Sequence, residues 1–85
     1  MENKTVILKA KHGLHVRPAA LLIKTAKEFD SAIELSSGGR SANAKSMSRL
    51  QLLELTEGSQ IDIQAEGSDA AEAVARLATF IEQLN

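Results

Sequence analysis

A regular apolar repeat near the C-terminus constrains the fold of this chain more than any other feature. The segment SDAAEAVARLATFIEQLN, residues 68–85, has apolar residues three or four positions apart, the spacing that puts side chains on one face of a helix. Asp69 and Glu72 have the spacing of a capping box and predict where the helix starts. Glu72 and Arg76 are spaced for an ion pair along the helix surface. A helix with one apolar stripe must bury it against a second layer. The stripe comprises Ala70, Ala73, Val74, Leu77, Phe80, Ile81 and Leu84.

Three other segments have the residue patterns of strands. In QIDIQAEG, the residues Ile61, Ile63 and Ala65 alternate with polar residues, which predicts a strand with one buried face. The run TVILK, Thr5–Lys9, is rich in β-branched residues and also predicts a strand. AIELSSGGRSANA consists of two short extended runs around Gly38-Gly39, the pattern of a β-hairpin. The chain therefore supplies four predicted strands.

Two further segments are predicted to be helical. Apolar residues at helical spacing follow HGLH and predict a helix from about Val16 to Glu28. SMSRLQLLEL predicts a short helix with Ser46 as its N-cap, and with Leu50 and Leu53 facing inward. The apolar stripe of the longer helix comprises Ala19, Leu22, Ile23, Ala26 and Phe29.

The order of these elements, β-α-β-β-α-β-α, predicts an α+β fold of two layers. Alternating strands and helices with single stripes fit an open-faced sandwich, in which three helices cover one face of a four-stranded antiparallel sheet. The other face of such a sheet meets water. With 85 residues the chain is too short for two independent cores, so we expect residues 1–85 to form a single domain.

Charge and composition argue against several classes of function. Ten Lys and Arg residues against eleven Asp and Glu residues give a formal net charge of −1, without the basic excess that nonspecific nucleic-acid binding requires. With 2% aromatic residues, the chain also lacks a base-stacking surface. The absence of cysteine excludes disulfides and thiolate metal sites. No secretory h-region and no run of roughly 20 apolar residues is visible, so we expect a soluble cytoplasmic protein.

The stretch HGLHVRPAA, residues 12–20, places a potential nucleophile where the first helix begins. A neutral imidazole such as that of His15 is a competent nucleophile near pH 7. The first amides of a helix have no intrahelical acceptor and suit a phosphate, which leaves those of Val16 and Arg17 available. The Arg17 guanidinium can bind two phosphate oxygens. Pro18 fits the first turn because amides there have no intrahelical acceptor, so the N–H that proline lacks is not needed. The stretch thus offers a nucleophile, an oxyanion cradle and a positive clamp.

The same stretch has an ordinary explanation. In most proteins, an exposed histidine near a helix start has no chemical role. The helix dipole does, however, disfavour a protonated imidazole at this position. No second acid or base accompanies His15 in the sequence, so autonomous catalysis is not predicted. His12 and His15 form an H-x-x-H pair, but two histidines without a cysteine or a nearby carboxylate lack a third metal ligand. We therefore predict neither a metal nor a cofactor.

The residues GLHVRPAA resemble the motif G-[LM]-H-x-R-P-A of the HPr family, the histidine-containing phosphocarriers of the bacterial sugar phosphotransferase system. The resemblance continues through KSMSRLQLLELTEGSQIDIQAEG to the closing helix and covers essentially all 85 residues. It implies that enzyme I phosphorylates His15 on Nδ1, and that the phosphohistidine passes its phosphoryl group to IIA domains of sugar permeases. It also implies that Arg17 and the amides beyond His15 hold the phosphoryl group. The chain would then be a carrier more than an enzyme, because its partners supply the other catalytic groups.

The short helix is implicated by the same resemblance. Ser46 matches the serine that a dedicated kinase phosphorylates in HPr proteins of many Gram-positive bacteria, although an N-cap role alone explains a serine here. Ser48 stands where the family usually has a large apolar residue, a departure that would weaken docking and would fit a specialised paralogue. A small apolar centre with a basic rim suits brief binding to acidic partners. The predicted docking surface comprises Ala20, Leu21, Lys24, Lys27, Met47, Ser48, Arg49 and Gln51.

Two functions remain open for a chain of this kind. The first is a phosphocarrier in which His15 accepts and then donates the phosphoryl group. The second is a specialised or regulatory module of the same fold, serving a nitrogen-type or another branch, that acts through protein contacts and is switched at Ser46. The intact HVRPAA favours the first, because a pure regulator does not need nucleophile and clamp together. A monomer is the expected state of a diffusing carrier.

Overall fold

A computed structural model describes residues 1–84 and shows the elements in the predicted order β-α-β-β-α-β-α. Asn85, the last residue of the predicted C-terminal helical segment, lies outside the described residues. The strands are β1 (Glu2–Ile7), β2 (Ala32–Ser37), β3 (Arg40–Asn43) and β4 (Gln60–Glu66), and the helices are α1 (Val16–Ala26), α2 (Met47–Gln51) and α3 (Ala70–Glu82).

The four strands form one antiparallel sheet in the order β1-β4-β2-β3. The chain forms the predicted hairpin, because β2 and β3 pair directly around Gly38 and Gly39. Both glycines have positive φ, 59° and 82°, a conformation that glycine adopts without a steric penalty. The fold class is therefore confirmed as an antiparallel sheet with three helices.

The core lies between the helices and one face of this sheet. Ile61, Ile63 and Ala65 of β4 are buried on that face, as their alternation predicts, while Asp62 and Gln64 point to the other face. The α3 stripe joins the same cluster, with Phe80 and Leu84 only partly buried at its end. Among residues 1–84 no helix covers the opposite face of the sheet, which is mainly polar, with Ile7 of β1 exposed there, as expected for an open-faced sandwich.

The predicted boundaries of β1 and α1 are wrong, the first because of strand pairing and the second because of a local turn. The first strand was expected at Thr5–Lys9 but begins at Glu2, because pairing from Glu2 with Ala65 to Ile7 with Gln60 recruits polar residues into the ladder. The first helix ends at Ala26 instead of Glu28, and Lys27 is its C-cap. Two residues later, the Phe29 amide donates to the Ala26 carbonyl in a turn that leads towards β2.

The predicted capping box at the start of α3 is also wrong. Asp69 is the N-cap residue, but its side chain makes no capping hydrogen bond. Its carboxylate instead accepts from the amides of Asp30 and Ser31, both at 2.9 Å, and from the Ser31 hydroxyl. These bonds lower the pKa of Asp69, chiefly through the Ser31 hydroxyl and the Asp30 amide. The side chain thus joins the start of α3 to the loop between α1 and β2.

Two further side chains bind this region. The Arg76 guanidinium lies 3.6 Å from the carboxylate of Glu28 and does not form the predicted pair with Glu72. Lys45 Nζ donates to the carbonyl oxygen of Ser31 at 2.9 Å. The loop before β2 is therefore held by the Asp69 carboxylate, which binds its amides, and by the Lys45 ammonium group, which binds the Ser31 carbonyl.

Candidate functional site

His15 is the N-cap residue of α1, which is the helix start that the sequence predicted. Its backbone is extended, with φ −85° and ψ −176°, and its carbonyl accepts the first helical hydrogen bond from the Ala19 amide at 3.0 Å. The imidazole is exposed and makes no capping hydrogen bond. Both ring nitrogens are therefore available to groups from outside the chain.

A close approach of two backbones fixes the chain just before His15. Gly13 has φ +69°, and a Cβ atom on it would lie 2.3 Å from the Leu55 carbonyl oxygen. Any side chain at this position would therefore clash with the backbone of Leu55, so only glycine fits. The same oxygen accepts from the Leu14 amide at 3.2 Å, and the Gly13 amide donates to Ala10 at 3.0 Å. Gly13-Leu14 therefore sets the direction in which the chain reaches His15, as predicted.

The segment after α2 holds this loop at a second point. The Gly58 amide donates to the Leu8 carbonyl at 2.7 Å, and the Leu8 amide donates to Ser59 at 2.9 Å. Leu14 itself is partly buried and packs against the core. The position of His15 thus depends on residues 55–59 as well as on its own helix.

The start of α1 has the electrostatics of an anion site. The amides of Val16 and Arg17 belong to the first turn and have no intrahelical acceptor, and Pro18 has no amide. No acidic residue lies in this first turn. The partial positive charge of the helix start is therefore not neutralised by the helix itself.

The first two turns of α1 form an open, shallow depression in front of the imidazole. It is lined by His15, Val16, Arg17, Ala20 and Leu21. Val16 is 60% exposed and Leu21 is 52% exposed, so the depression is largely apolar apart from His15 and Arg17. Such a surface can seat a protein partner around a phosphorylated imidazole.

Helix α2 packs against α1 and brings in the other predicted docking residues. The Ser46 hydroxyl accepts from the Arg49 amide at 3.4 Å, which confirms the predicted N-cap, and lies 3.4 Å from the Ser48 hydroxyl. Met47 is half-buried against the core, while Ser48, Arg49 and Gln51 are exposed. Phosphorylation of Ser46 stays a prediction.

Four cations without a carboxylate partner among residues 1–84 lie on α1 and α2 or at their ends. Lys24 and Lys27 are exposed at the end of α1, and Arg49 is exposed on α2. Within residues 1–84, side-chain ion pairs join only Arg40 to Glu54 and Arg76 to Glu28. The charges of Arg17, Lys24, Lys27 and Arg49 are therefore not matched by a carboxylate of the described chain.

Other predicted features do not contribute to the site, and one residue was missed. His12 is exposed in the turn before His15, and no cluster of three potential metal ligands occurs among residues 1–84. No helix in the described part of the chain is long and apolar enough to cross a membrane.

Leu52 was not identified from the sequence as a surface residue, although its side chain is 61% exposed. Its position between the inward-facing Leu50 and Leu53 already indicated that it points outward.

Comparisons with known proteins agree with this geometry. A family model described as "PTS HPr component phosphorylation site" matches residues 2–83. The phosphocarrier protein HPr of Vibrio cholerae is 47% identical over 85 residues, which is the whole length of both chains. The crystal structure of HPr-C-His from Thermoanaerobacter tengcongensis has a TM-score of 0.92 at 39% identity, covering 96% of this chain and 92% of that chain. An HPr dimer from the same organism has a TM-score of 0.76 at 39% identity, covering 96% and 94%.

Proposed function

The chain belongs to the HPr family, and from this premise we propose that it carries phosphoryl groups on His15 within a phosphotransferase system. The observation that supports this most is the composition of one helix start. An exposed imidazole, two unpaired amides and a guanidinium occupy three consecutive residues, His15, Val16 and Arg17. A nucleophile placed at an anion site is what a reversible phosphoryl acceptor requires.

The transfer chemistry follows from this arrangement. The lone pair on Nδ1 of neutral His15 forms a bond to the phosphorus of phosphorylated enzyme I, while the bond from phosphorus to the donor group breaks and its electron pair stays with the donor. In the next transfer, the N–P bond breaks and its electron pair returns to His15 as a IIA domain accepts the phosphoryl group. The Arg17 guanidinium and the amides of Val16 and Arg17 stabilise the negative oxygens in both steps. Pro18 holds the turn from which these amides project.

The chain acts as a carrier and not as an autonomous enzyme. No general acid or base is held near His15 by a hydrogen bond within the described residues, so enzyme I and the IIA domain must provide the remaining groups. Residues 1–85 act as one domain, in the cytoplasm and as a monomer, and require no metal or cofactor. Light scattering tests the monomer, and a dimer at micromolar concentration would contradict it.

The surface around His15 is the proposed docking surface. Enzyme I and the IIA domains bind over Ala20, Leu21 and Met47, and their acidic rims meet the unpaired cations of α1 and α2. A phosphate on Ser46, added by a dedicated kinase, would put negative charge beside this surface and weaken docking to an acidic partner. The remaining docking residues are Lys24, Lys27, Ser48, Arg49 and Gln51.

Labelling by phosphoenolpyruvate and catalytic enzyme I tests this function. We expect one phosphoryl group per chain, labile in acid and stable in base, and no label on the His15→Ala variant. His12→Ala is the matched control, because it removes the other exposed histidine, and it should be labelled like the wild type. Equal labelling of His15→Ala and the wild type would show that another residue carries the phosphoryl group.

A further inference from the structure

Arg40, the first residue of β3, contacts the turn that follows α2 at two groups. Its Nη1 donates to the carbonyl oxygen of Leu52, the C-cap residue of α2, at 3.1 Å. The same nitrogen lies 3.8 Å from the Glu54 carboxylate. The last carbonyls of a helix have no intrahelical donor, so the guanidinium supplies one that the helix itself cannot. Because Arg40 pairs with Ser37 across the hairpin, the sheet anchors this contact.

The turn that Arg40 contacts has an unfavourable backbone conformation. Glu54 has φ +51°, and among residues 1–84 it is the only residue other than glycine with a positive φ. A Cβ atom disfavours this region, so the conformation persists where surrounding contacts hold it. The side chains of Leu53 and Leu55 are buried and attach the turn to the core. Those of Leu52 and Glu54 are exposed, and the contacts with Arg40 hold this outer side of the turn.

The end of this turn contacts the chain just before His15. The Leu55 carbonyl accepts from the Leu14 amide at 3.2 Å and lies against Gly13. Because the unfavourable backbone conformation directly precedes Leu55, it helps to set where this carbonyl lies. A continuous series of contacts therefore leads from Arg40, through the turn and the Leu55 carbonyl, to the helix start that carries His15.

We propose that Arg40 is a positioning residue for phosphoryl transfer, which acts through the turn after α2 and the Leu55 carbonyl on the orientation of His15. This role rests on the proposed function, because it concerns the rate at which His15 accepts the phosphoryl group. Transfer requires the imidazole and the donor phosphorus to be aligned, so an imidazole that is held less firmly spends less time in the reactive geometry. Arg40 lies on β3, outside the docking surface, so binding of the donor should not depend on it.

Single-turnover transfer from phosphorylated enzyme I, followed by rapid quench, tests this role. Arg40→Met keeps a long side chain but cannot donate, and we expect its transfer rate at saturating carrier to fall about threefold, while the carrier concentration at half-maximal rate stays near that of the wild type. Arg40→Lys keeps a donor for the Leu52 carbonyl and should restore most of the rate. Arg76→Met is the matched control, because it removes an exposed guanidinium that is paired with a carboxylate elsewhere in the fold, and its rate should not change.

Amide hydrogen exchange provides a readout that does not require transfer. In Arg40→Met, the Leu14 amide should exchange about fivefold faster than in the wild type, because the Leu55 carbonyl that accepts its hydrogen bond is held less firmly. The Ala73 amide donates to the Asp69 carbonyl at 2.9 Å at the start of α3, and it should exchange as in the wild type. Thermal unfolding of each variant verifies that it is folded.

The outcomes separate this role from the proposed function. Absence of transfer to the wild-type chain would contradict the phosphocarrier function, on which the role of Arg40 rests. Normal wild-type transfer with equal rates for Arg40→Met and Arg76→Met would overturn the role of Arg40 and leave the phosphocarrier intact. A higher half-maximal concentration at an unchanged rate would also overturn it, because Arg40 would then contribute to docking. So would slower transfer without faster exchange at Leu14, or equally faster exchange at Leu14 and Ala73, because the effect would then not pass through the Leu55 carbonyl.

Discussion

Helices α1 and α2 pack against each other but begin in opposite ways. Ser46 completes the start of α2, since its hydroxyl accepts from the Arg49 amide at 3.4 Å. His15 makes no such bond, so the start of α1 leaves its amides to a group from outside the chain. A side-chain cap contributes about 1 kcal/mol, which α1 forgoes. The difference teaches that a helix start without its own cap is a place to look for a ligand.

The start of α3 differs from both. Asp69 stands at the N-cap position, yet its carboxylate binds Asp30 and Ser31 in a neighbouring loop. An N-cap residue can therefore complete its own helix, tie the helix to another segment, or leave the amides open. The first turn of α3 also lacks a side-chain cap, but Asp69 and Glu72 place negative charge there, whereas the first turn of α1 has no acidic residue.

The Asp69→Ala variant tests the tie between α3 and the loop and should have the largest effect on stability. It removes a charged acceptor from the Asp30 amide and from two donors of Ser31, a residue that is 1% exposed. The loss of unfolding free energy in urea should exceed that of Ser46→Ala. Glu72→Ala is the matched control, because this exposed carboxylate lies in the same first turn. Equal losses for the two variants would contradict the tie.

The same comparison has a defined pH dependence. The hydrogen bonds from Ser31 and Asp30 lower the pKa of Asp69 in the folded chain, so protonation is easier in the unfolded chain. The stabilisation is complete above the ordinary aspartate pKa of about 4 and is lost as pH falls through the lower folded-state pKa. The gap in stability between wild type and Asp69→Ala should therefore shrink on acidification below about pH 4. A gap that stays constant there would contradict this assignment.

Alanine substitutions at the N-cap positions of α2 and α1 test directly whether each side chain caps its helix. Their effects on the free energy of unfolding should be smaller than that of Asp69→Ala. Ser46→Ala should cost about 1 kcal/mol of unfolding free energy, because the Arg49 amide loses its acceptor. His15→Ala should change stability by less than about 0.5 kcal/mol, since no capping bond is lost. Urea denaturation of both variants at neutral pH measures this. A loss at His15 as large as that at Ser46 would mean that the imidazole caps its helix after all.

Local patterns in the sequence predicted most of the fold. The α3 stripe and the hairpin around Gly38-Gly39 depend on spacing within one segment, and the structure has both. Asp69 was misassigned because its partners are 38 and 39 residues away, while the capping-box rule considers only the next turn. The polar start of β1 was missed because its pairing with β4, and not its own sequence, makes it a strand.

The candidate site was predictable for a related reason. The proposed nucleophile, amides and clamp are consecutive residues, so the motif alone is enough to predict that His15, Val16 and Arg17 lie together, and the structure has them at one helix start. The supports of the site come from distant segments and could not be located in this way. The carbonyl of Leu55 against Gly13 and the hydrogen bond from the Gly58 amide to the Leu8 carbonyl emerge only when the chain is folded.

Amide NMR during phosphorylation tests most directly whether the open start of α1 holds the phosphoryl group. A uniformly 15N-labelled chain is treated with phosphoenolpyruvate and enzyme I, and its amide spectra are compared before and after. The amide protons of Val16 and Arg17 should move strongly downfield as they donate to phosphoryl oxygens. That of Arg49, which already donates to Ser46, should hardly move. A phosphorylated chain in which the amides of Val16 and Arg17 shift no more than that of Arg49 would contradict the claim.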